Sequence, residues 1–249
     1  MNKVEYEVAG ISDVGIVKKV NEDSLVYKVA DIGSNFAGIF VIADGVGNLQ
    51  KGELASSMTV TKIIEWWENE FMNRSGDLDY LKNTLYSTIE DANNQLVNLQ
   101  ITDNLKTAST LSVMFLYGDN CTIYNVGDSR IYKYTHNIFK PKMQQLTEDH
   151  SCEIEKNVNG SIIRKNVLTE YIGKKSNLSI LRKECRAKPG EIYIVCSDGI
   201  YKTMTTDGIR QIVGRNKDDM VSVCRELVKK VKNNKETDNI SVIAVKLKK

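Results

Sequence analysis

The chain has 249 residues, of which 41% are hydrophobic and 27% charged, and this allows one large domain with a substantial core. Its 2 prolines and 16 glycines are too few for disordered or repetitive sequence. The formal charge is +2 and the basic residues are dispersed apart from a C-terminal KLKK, so we do not expect nucleic-acid binding.

The first half of the chain predicts strands followed by two helices. Apolar and β-branched runs indicate strands at roughly 5–12, 24–29 and 36–43. Apolar residues at helical spacing then define two faces, Val60, Ile63, Ile64, Trp67 and Phe71 on the first and Leu81, Leu85, Ile89, Ala92, Leu96 and Leu99 on the second. The intervening RSGDLD predicts a turn, so we expect an antiparallel helix pair or near-pair.

The second half returns to strands and ends with two helices and a last strand. Strands are predicted at roughly 109–117, 121–127, 130–135, 191–197 and 239–247, and helices at roughly 205–214 and 220–231. The polar segment 150–180 is the least regular and is expected to be an excursion on the surface. This order of elements differs from the rhythm of a doubly wound sheet and predicts an α+β layered domain, with antiparallel sheets covered by helices.

Four aspartates lie in short turn-like settings spread over the chain: Asp23 in VNEDS, Asp44 in VIADGVG, Asp198 in IVCSDGI and Asp238 in TDNIS. Asp44 and Asp198 close long apolar runs, where a carboxylate is expensive to leave unpaired. A divalent cation shared by several carboxylates would remove that cost and could activate a water molecule. Asp44 or Asp198 alone is better explained as a turn or cap residue. The set of four with Glu22 predicts a hard-metal, all-oxygen site for hydrolytic chemistry.

The cysteines and histidines indicate the cellular compartment and exclude one kind of metal site. The five cysteines form no C-x-x-C pair, and Cys121, Cys196 and Cys224 have apolar neighbours, which predicts core thiols in a reducing cytoplasm. Two histidines are too few for a His-rich zinc site. The N-terminal MNKVEYEVAG has no apolar signal core, and no run approaches membrane-spanning length, so no membrane partner is expected.

Eight blocks of sequence follow one another along nearly the whole chain. They are SDVGIVKKVNEDS (12–24), VIADGVGNLQKGELAS (41–56), TASTLSV (107–113), NVGDSRIY (125–132), LTEDHS (146–151), NVLTEYIG (166–173), PGEIYIVCSDGIY (189–201) and TDNISVIAV (237–245). Any one of them is weak, but eight in this order resemble the metal-dependent Ser/Thr protein phosphatases of type 2C (PPM), especially the small bacterial members. The resemblance implies one catalytic domain over 1–249, a four-layer α/β/β/α sandwich of two antiparallel sheets flanked by helix pairs.

The resemblance also implies a site for two divalent ions, Mn²⁺ or Mg²⁺, with six candidate ligand residues: Glu22, Asp23, Asp44, Gly45, Asp198 and Asp238. Asp44 would bridge the ions, the carbonyl of Gly45 would join one of them, and Asp198 and Asp238 would hold the second. Glu22 and Asp23 would act largely through bound water. The ions would clamp a bridging hydroxide for in-line attack on phosphorus.

Residues near this site have further expected roles. Asp128 fits an ordinary turn, and the resemblance adds a part in holding a third, weaker ion together with Asp198. Ser129 and Arg130 are expected to be structural, through turn hydrogen bonds and pairing to a carboxylate. His150 is expected to anchor its loop by hydrogen bonding.

Three of the places at which the chain departs from the family pattern bear directly on the site. Lys18 lies where the family usually has an arginine that grips the substrate phosphate, and lysine keeps the charge but loses the two-pronged contact. Val46 replaces a histidine that many eukaryotic members use as a candidate general acid, as is common in bacterial members. Only residues 152–165 separate DHS from NVL, so a short flap is expected within about 150–168. The predicted catalytic residues are Lys18, which would bind phosphate, Asp44 and Asp198.

The leading hypothesis is therefore a cytoplasmic, monomeric phosphatase acting on phosphoserine and phosphothreonine in proteins, with an opposing Ser/Thr kinase as candidate partner. The main alternative is a catalytically weak regulatory domain that binds phosphoproteins, which Lys18 and the short flap would favour. A phosphatase dedicated to one signalling partner and a metallohydrolase of another kind are further alternatives.

Overall fold

The structure is a computed structural model that describes residues 5–33, 36–46, 50–74, 76–136, 140–158, 161–175 and 177–248. Residues 47–49 of the block VIADGVGNLQKGELAS, 159–160 of the expected flap, and the chain ends 1–4 and 249 lie outside this description.

Groups of strands and groups of helices follow one another along the chain in the order that the sequence predicts. The strands are β1 (Glu5–Asp13), β2 (Asp23–Asp31), β3 (Phe36–Asp44), β4 (Leu111–Tyr117), β5 (Asn120–Val126), β6 (Arg130–Thr135), β7 (Lys142–Gln145), β8 (Ser151–Val158), β9 (Ser161–Leu168), β10 (Leu181–Arg186), β11 (Ile192–Cys196) and β12 (Ile240–Lys248). The helices are α1 (Gly52–Trp66), α2 (Met72–Arg74), α3 (Leu78–Thr102), α4 (Asp198–Tyr201), α5 (Thr206–Arg215) and α6 (Met220–Asn233), with a π-helical turn at Trp67–Phe71.

Two five-stranded antiparallel sheets form the centre of the fold. The strand order is β1-β12-β11-β6-β7 in the first sheet and β10-β5-β4-β3-β2 in the second. One buried apolar layer lies between the sheets, a second lies between the second sheet and helices α1 and α3, and a third lies between the first sheet and helices α4 to α6. The predicted α+β class, with helices outside two packed sheets, is confirmed.

The central strands are long apolar runs because both of their faces are covered. In β3, Ile39 and Val41 face the helices, whereas Phe40 and Ile42 face the other sheet. The backbone of such a strand is rigid, so the polar residue at its end has a well-defined position. Asp44 is that residue in β3.

The helix predictions are confirmed in their positions. The face predicted around 60–71 continues from α1 through the π-helical turn, and α3 carries the second face. Thr205 caps α5 by accepting the Gly208 amide at 3.2 Å, and Asp219 caps α6 by accepting the Val221 amide at 2.9 Å. Among the described helices, none combines the length and the apolar character that a bilayer crossing needs.

The expectation that the segment 150–180 is irregular is wrong for the paired residues of β8 and β9, whereas its expected position on the surface is confirmed. β8 and β9 pair antiparallel from Ser151↔Leu168 to Val158↔Ser161 and form a hairpin outside the two large sheets. Its described side chains are largely exposed. Strands whose described side chains are largely exposed need no continuous apolar face, and apolar alternation is the signal used to predict strands.

Phe71 provides a test of the helix-covered core. Its ring is fully buried, is stacked on Trp67 at 4.0 Å between centroids, and meets Phe115 edge-on at 6.0 Å. We expect Phe71→Ala to lower the free energy of unfolding by about 3–5 kcal/mol, because it removes the ring and leaves a cavity. Urea unfolding followed by circular dichroism measures the change. The control is Met72→Ala at a side chain that is 58% exposed, and an equal loss in both variants would contradict the assignment.

Candidate active site

The predicted site residues meet at one end of the sandwich, where central strands of both sheets begin or end. Asp44 ends β3 and lies directly opposite Asp23, the first residue of β2. Asp198 follows β11, and Asp238 precedes β12 in the same sheet as β11. A cleft at this end is lined by six of the eight predicted residues, Lys18, Asp44, Gly45, Asp128, Asp198 and Asp238. The remaining two adjoin it, since Glu22 contacts Lys18 and Asp23 pairs with Asp44.

The side chain of Asn239 forms hydrogen bonds that connect the loop of Lys18 to the segment before β12, which carries Asp238. Its side-chain amide donates to the carbonyls of Val14 at 2.9 Å and Val20 at 3.1 Å, and its side-chain oxygen accepts the Glu22 amide at 2.9 Å. Gly15 has φ 84° and lies so close to the Asp238 carbonyl that a side chain would collide with it. The positions of Lys18 and Glu22 are thus set by residues more than 200 positions away in sequence.

The backbone around Asp44 is held by hydrogen bonds to β4 and to the loop before β2. The Asp44 amide donates to the Thr110 hydroxyl at 3.0 Å, and the Thr110 amide donates to the Asp44 carbonyl at 2.8 Å. The Gly45 amide donates to the Glu22 carbonyl at 3.0 Å. A Cβ at Gly45 would overlap the backbones of Gly52 and Glu22, so this close approach requires glycine.

Two buried carboxylate oxygens of the predicted site, Oδ1 of Asp23 and Oδ1 of Asp198, have no hydrogen-bond donor among the described residues. The other oxygen of Asp23 accepts the Ser197 hydroxyl at 2.9 Å, and the other oxygen of Asp198 faces Lys202. A buried acceptor left without a donor is costly, and a bound cation would supply the missing partner. The all-oxygen donor set therefore fits a hard divalent ion.

The electrostatics of the cluster also favour a cation. Burial raises the pKa of Asp23 to about 6 and that of Asp198 to about 7. Burial, followed by repulsion from Asp23 and Asp198, raises the pKa of Asp44 well above its ordinary value. A divalent cation would favour the ionised form of all three carboxylates.

Two lysines neutralise part of this negative charge. Lys18 Nζ lies 3.0 Å from Glu22 Oε2 and 3.2 Å from Asp238 Oδ1, and Lys202 Nζ lies 2.5 Å from Asp198 Oδ2 and 3.1 Å from Asp238 Oδ2. Burial opposes ionisation of Asp238, but Lys202 and Lys18 outweigh it and hold the pKa of Asp238 below its ordinary value. Among the described residues, no three or more Asp, Glu, His or Cys side chains lie close enough together in this conformation to hold a metal ion. Ion binding therefore requires the side chains and both ammonium groups to shift.

Arg130 forms one wall of the cleft, and its structural role is confirmed. Its Nε and Nη2 donate to both oxygens of Asp149 at 2.6–3.1 Å, and its guanidinium lies 3.5 Å from the centre of the Tyr201 ring. The Tyr201 hydroxyl donates to the Asp128 carbonyl at 2.8 Å. Arg130 therefore braces the backbone of Asp128, and its donors are committed to Asp149 and to the Tyr132 hydroxyl.

The β8–β9 hairpin joins the cleft at its base. The His150 amide donates to the Gly127 carbonyl at 3.0 Å, and the His150 carbonyl accepts the Thr169 amide at 2.8 Å, which confirms that His150 anchors this loop. The ends of the β8–β9 hairpin line the cleft through Ser151, Asn166, Val167 and Leu168.

Residues 16–243 match the sequence profile of the family described as Protein phosphatase 2C. The chain belongs to the protein phosphatase 2C family. The resemblance stated above and the predicted enzyme class, a protein phosphatase, are confirmed.

Known proteins similar to this phosphatase include several from streptococci. A putative protein phosphatase 2C-type of Streptococcus pyogenes serotype M6 is 27% identical over 215 residues, which are 82% of each chain. Protein phosphatase PhpP of Streptococcus pneumoniae is 25% identical in an alignment of 251 positions, and this alignment covers 97% of each chain. The solved serine/threonine phosphatase of S. agalactiae has a TM-score of 0.82 at 24% identity and covers 97% of this chain and 99% of its own. The catalytic domain of the phosphatase PstP, solved with 2 manganese ions, has a TM-score of 0.75 at 18% identity over 99% and 100%.

Three residues of the phosphatase site were missed by sequence reasoning: Thr110, Lys202 and Asn239. Lys202 follows Asp198 by four positions, a spacing that brings two side chains together once a helix is known to begin at Asp198. Thr110 and Asn239 act across 66 and 225 positions, and no local pattern marks such contacts.

Proposed function

We propose that this phosphatase hydrolyses phosphoserine and phosphothreonine in proteins, in a reaction that depends on two divalent ions, Mn²⁺ or Mg²⁺. The observation that carries the proposal is the meeting of Asp23, Asp44, Asp198 and Asp238 at one cleft, where two buried carboxylate oxygens find no donor in the part of the chain that the structure describes. The names of the relatives, which include serine/threonine phosphatases of Listeria, support the substrate class.

The proposed ligands are those that the resemblance implied. Asp44, the Gly45 carbonyl, Asp198 and Asp238 would hold the two ions, Glu22 and Asp23 would support them through water, and Asp128 is the candidate for a third, weaker ion. When bound, the ions would supply a hydroxide nucleophile and would neutralise charge that develops on the phosphoryl oxygens.

Other cleft residues bear on which group binds the substrate phosphate and which group protonates the leaving oxygen. Lys18 would bind the substrate phosphate, because its ammonium lines the cleft beside Asp238. Arg130 is committed to Asp149 and cannot take this part without breaking that pair. Val46 has no ionisable proton and the Tyr201 hydroxyl already donates to a carbonyl, so the proton for the leaving serine or threonine oxygen would come from water or from another group in the cleft.

The proposed partners are phosphorylated proteins and the Ser/Thr kinase that modifies them, and we propose a monomer of one catalytic domain in the cytoplasm. None of the five cysteines forms a disulfide, which supports a reducing compartment. A catalytically weak phosphoprotein-binding domain is the second candidate. The replacement of the family arginine by Lys18 and the short flap favour it, whereas the complete set of carboxylates argues against it.

A direct test uses protein stripped of metal and then supplied with Mn²⁺ or Mg²⁺. We expect hydrolysis of both p-nitrophenyl phosphate and a phosphothreonine peptide, and we expect a chelator to abolish both activities. Phosphate release measures turnover, and fluorescence anisotropy of a labelled phosphopeptide measures binding. Tight phosphopeptide binding without turnover at saturating Mn²⁺ would instead establish the binding-domain candidate.

A further inference from the structure

Glu236 is a buried glutamate between the end of α6 and the predicted metal ligand Asp238. It is 3% exposed, whereas its neighbours Lys235 and Thr237 are exposed. Its Oε1 accepts the Thr237 amide at 2.8 Å and the Asp238 amide at 3.1 Å. One carboxylate oxygen thus holds the backbone from which the Asp238 side chain extends.

The C-terminus of α6 brings Glu236 to this place. The Glu236 amide donates to the Val231 carbonyl at 3.0 Å, and the Lys235 amide donates to the Lys232 carbonyl at 3.0 Å. These two bonds form the Schellman arrangement that ends many helices. Lys235 adopts φ 63°, the left-handed conformation that this arrangement requires. The position of Glu236 is therefore fixed by the helix before it.

Other contacts fix the rest of Asp238. Gly15 lies so close to the Asp238 carbonyl that a side chain there would collide with it. The Asn239 amide donates to Asp238 Oδ1 at 3.0 Å. Glu236 supplies the contact to the Asp238 amide, so it supports this ligand on the side of the chain that comes from α6.

A glutamate at this position is costly for the fold. Its Oε2 is buried and finds no donor among the residues that the structure describes. A buried acceptor without a donor is unfavourable, and a hydrophobic residue frequently occupies this position after a helix. A buried polar group that is only partly satisfied calls for an explanation other than stability. The two amides that Glu236 holds point to the metal ligand as that explanation.

We propose that Glu236 is a positioning residue of the metal site. Its Oε1 holds the amides of Thr237 and Asp238, so that the Asp238 carboxylate is placed to bind the second ion. Glu236 acts through Asp238 and itself contacts neither ion nor substrate. The role depends on the reach of an acceptor oxygen and not on its charge. The inference rests on the proposed metal-dependent function.

The test compares five forms of the full chain: wild type, Glu236→Ala, Glu236→Asp, Glu236→Gln and Glu191→Ala. Aspartate keeps the charge but is shorter, whereas glutamine keeps the acceptor oxygen at its distance from the backbone and loses the charge. The matched control, Glu191, is a 7% exposed glutamate that accepts the Lys188 amide at 3.0 Å. It precedes β11, at the opposite end of that strand from Asp198.

Isothermal titration calorimetry with Mn²⁺ measures the affinity of each form for its ions, and circular dichroism checks the fold. We expect Glu236→Ala and Glu236→Asp to bind one of the two ions about tenfold to a hundredfold more weakly, the usual effect of losing a residue that orients a metal ligand. Glu236→Gln and Glu191→Ala should bind Mn²⁺ within about threefold of wild type, because both keep the acceptor for the Asp238 amide.

Wild-type affinity in Glu236→Ala and Glu236→Asp would overturn the inference, and so would misfolding of both variants, which would show a structural role only. An equal loss in Glu236→Gln would show that the charge acts and not the position. An equal loss in Glu191→Ala would show a general effect of removing a buried glutamate. If wild type binds two ions and the Glu236 variants match it, only this inference fails, whereas the proposed function fails too if wild type binds no divalent ion.

Discussion

Asp198→Asn and Asp238→Asn are each expected to lower kcat/KM for a phosphothreonine peptide by about a thousandfold, because each removes a charged ligand from the proposed two-ion site. Both side chains line the cleft. The two substitutions should nevertheless shift the stability of the metal-free protein in opposite directions, because the two carboxylates have opposite electrostatic environments.

The sign of each stability change follows from the pKa of the carboxyl in the folded protein. Burial raises the pKa of Asp198 from an ordinary value of 3.8 to about 7, so its contribution is favourable below pH 3.8 and is lost as the pH rises through about 7. Asp198→Asn should therefore raise the free energy of unfolding at pH 8 by about 1–3 kcal/mol and should lose this advantage below pH 4. The pKa of Asp238 is lowered by Lys202 and Lys18 against the effect of burial, so its contribution is present at neutral pH and Asp238→Asn should be destabilising there.

Urea unfolding of chelated protein at pH 8 and pH 4, together with peptide kinetics at saturating Mn²⁺, measures both effects. Wild-type kcat/KM in either variant at limiting Mn²⁺ would remove that residue from the site. Loss of activity together with loss of the folded signal in circular dichroism would show a structural role instead.

Lys18→Ala is expected to raise KM for a phosphopeptide and to lower kcat/KM by about tenfold to a hundredfold. The reason is that a charge-assisted contact with phosphate is worth about 1.5–3 kcal/mol. Lys18→Arg should match or exceed wild type, because a guanidinium can engage two phosphate oxygens together. Steady-state kinetics with one phosphothreonine peptide at saturating Mn²⁺ compares the variants.

The neighbouring Lys19 provides the matched control. Its side chain is exposed, whereas Lys18 points to Glu22 and Asp238 in the cleft. Lys19→Ala should leave kcat/KM within about twofold of wild type, since it removes the same charge outside the cleft. If Lys18→Ala is as active as Lys19→Ala, Lys18 has no part in phosphate binding.

The sequence by itself determined the central strands, the long helices and the carboxylates of the site. These features are local. An apolar run such as the one in β3 predicts a buried strand. An aspartate at the end of the run is conspicuous because an unpaired carboxylate is costly there. The α+β class followed from the order of such elements, and the family followed from the order of the motifs around them.

The tertiary structure alone decided how these residues act on one another. The described side chains of the β8–β9 hairpin are largely exposed, so no buried apolar face marks these strands and the sequence predicts irregular chain there. The support of Asp44 by Thr110 and of the Lys18 loop by Asn239 depends on hydrogen bonds between distant segments. Lys202 became visible as a counter-charge only when α4 placed it on the same face as Asp198 and next to Asp238. Hydrogen bonds and ion pairs depend on distances in space, and only packing of the two sheets sets those distances.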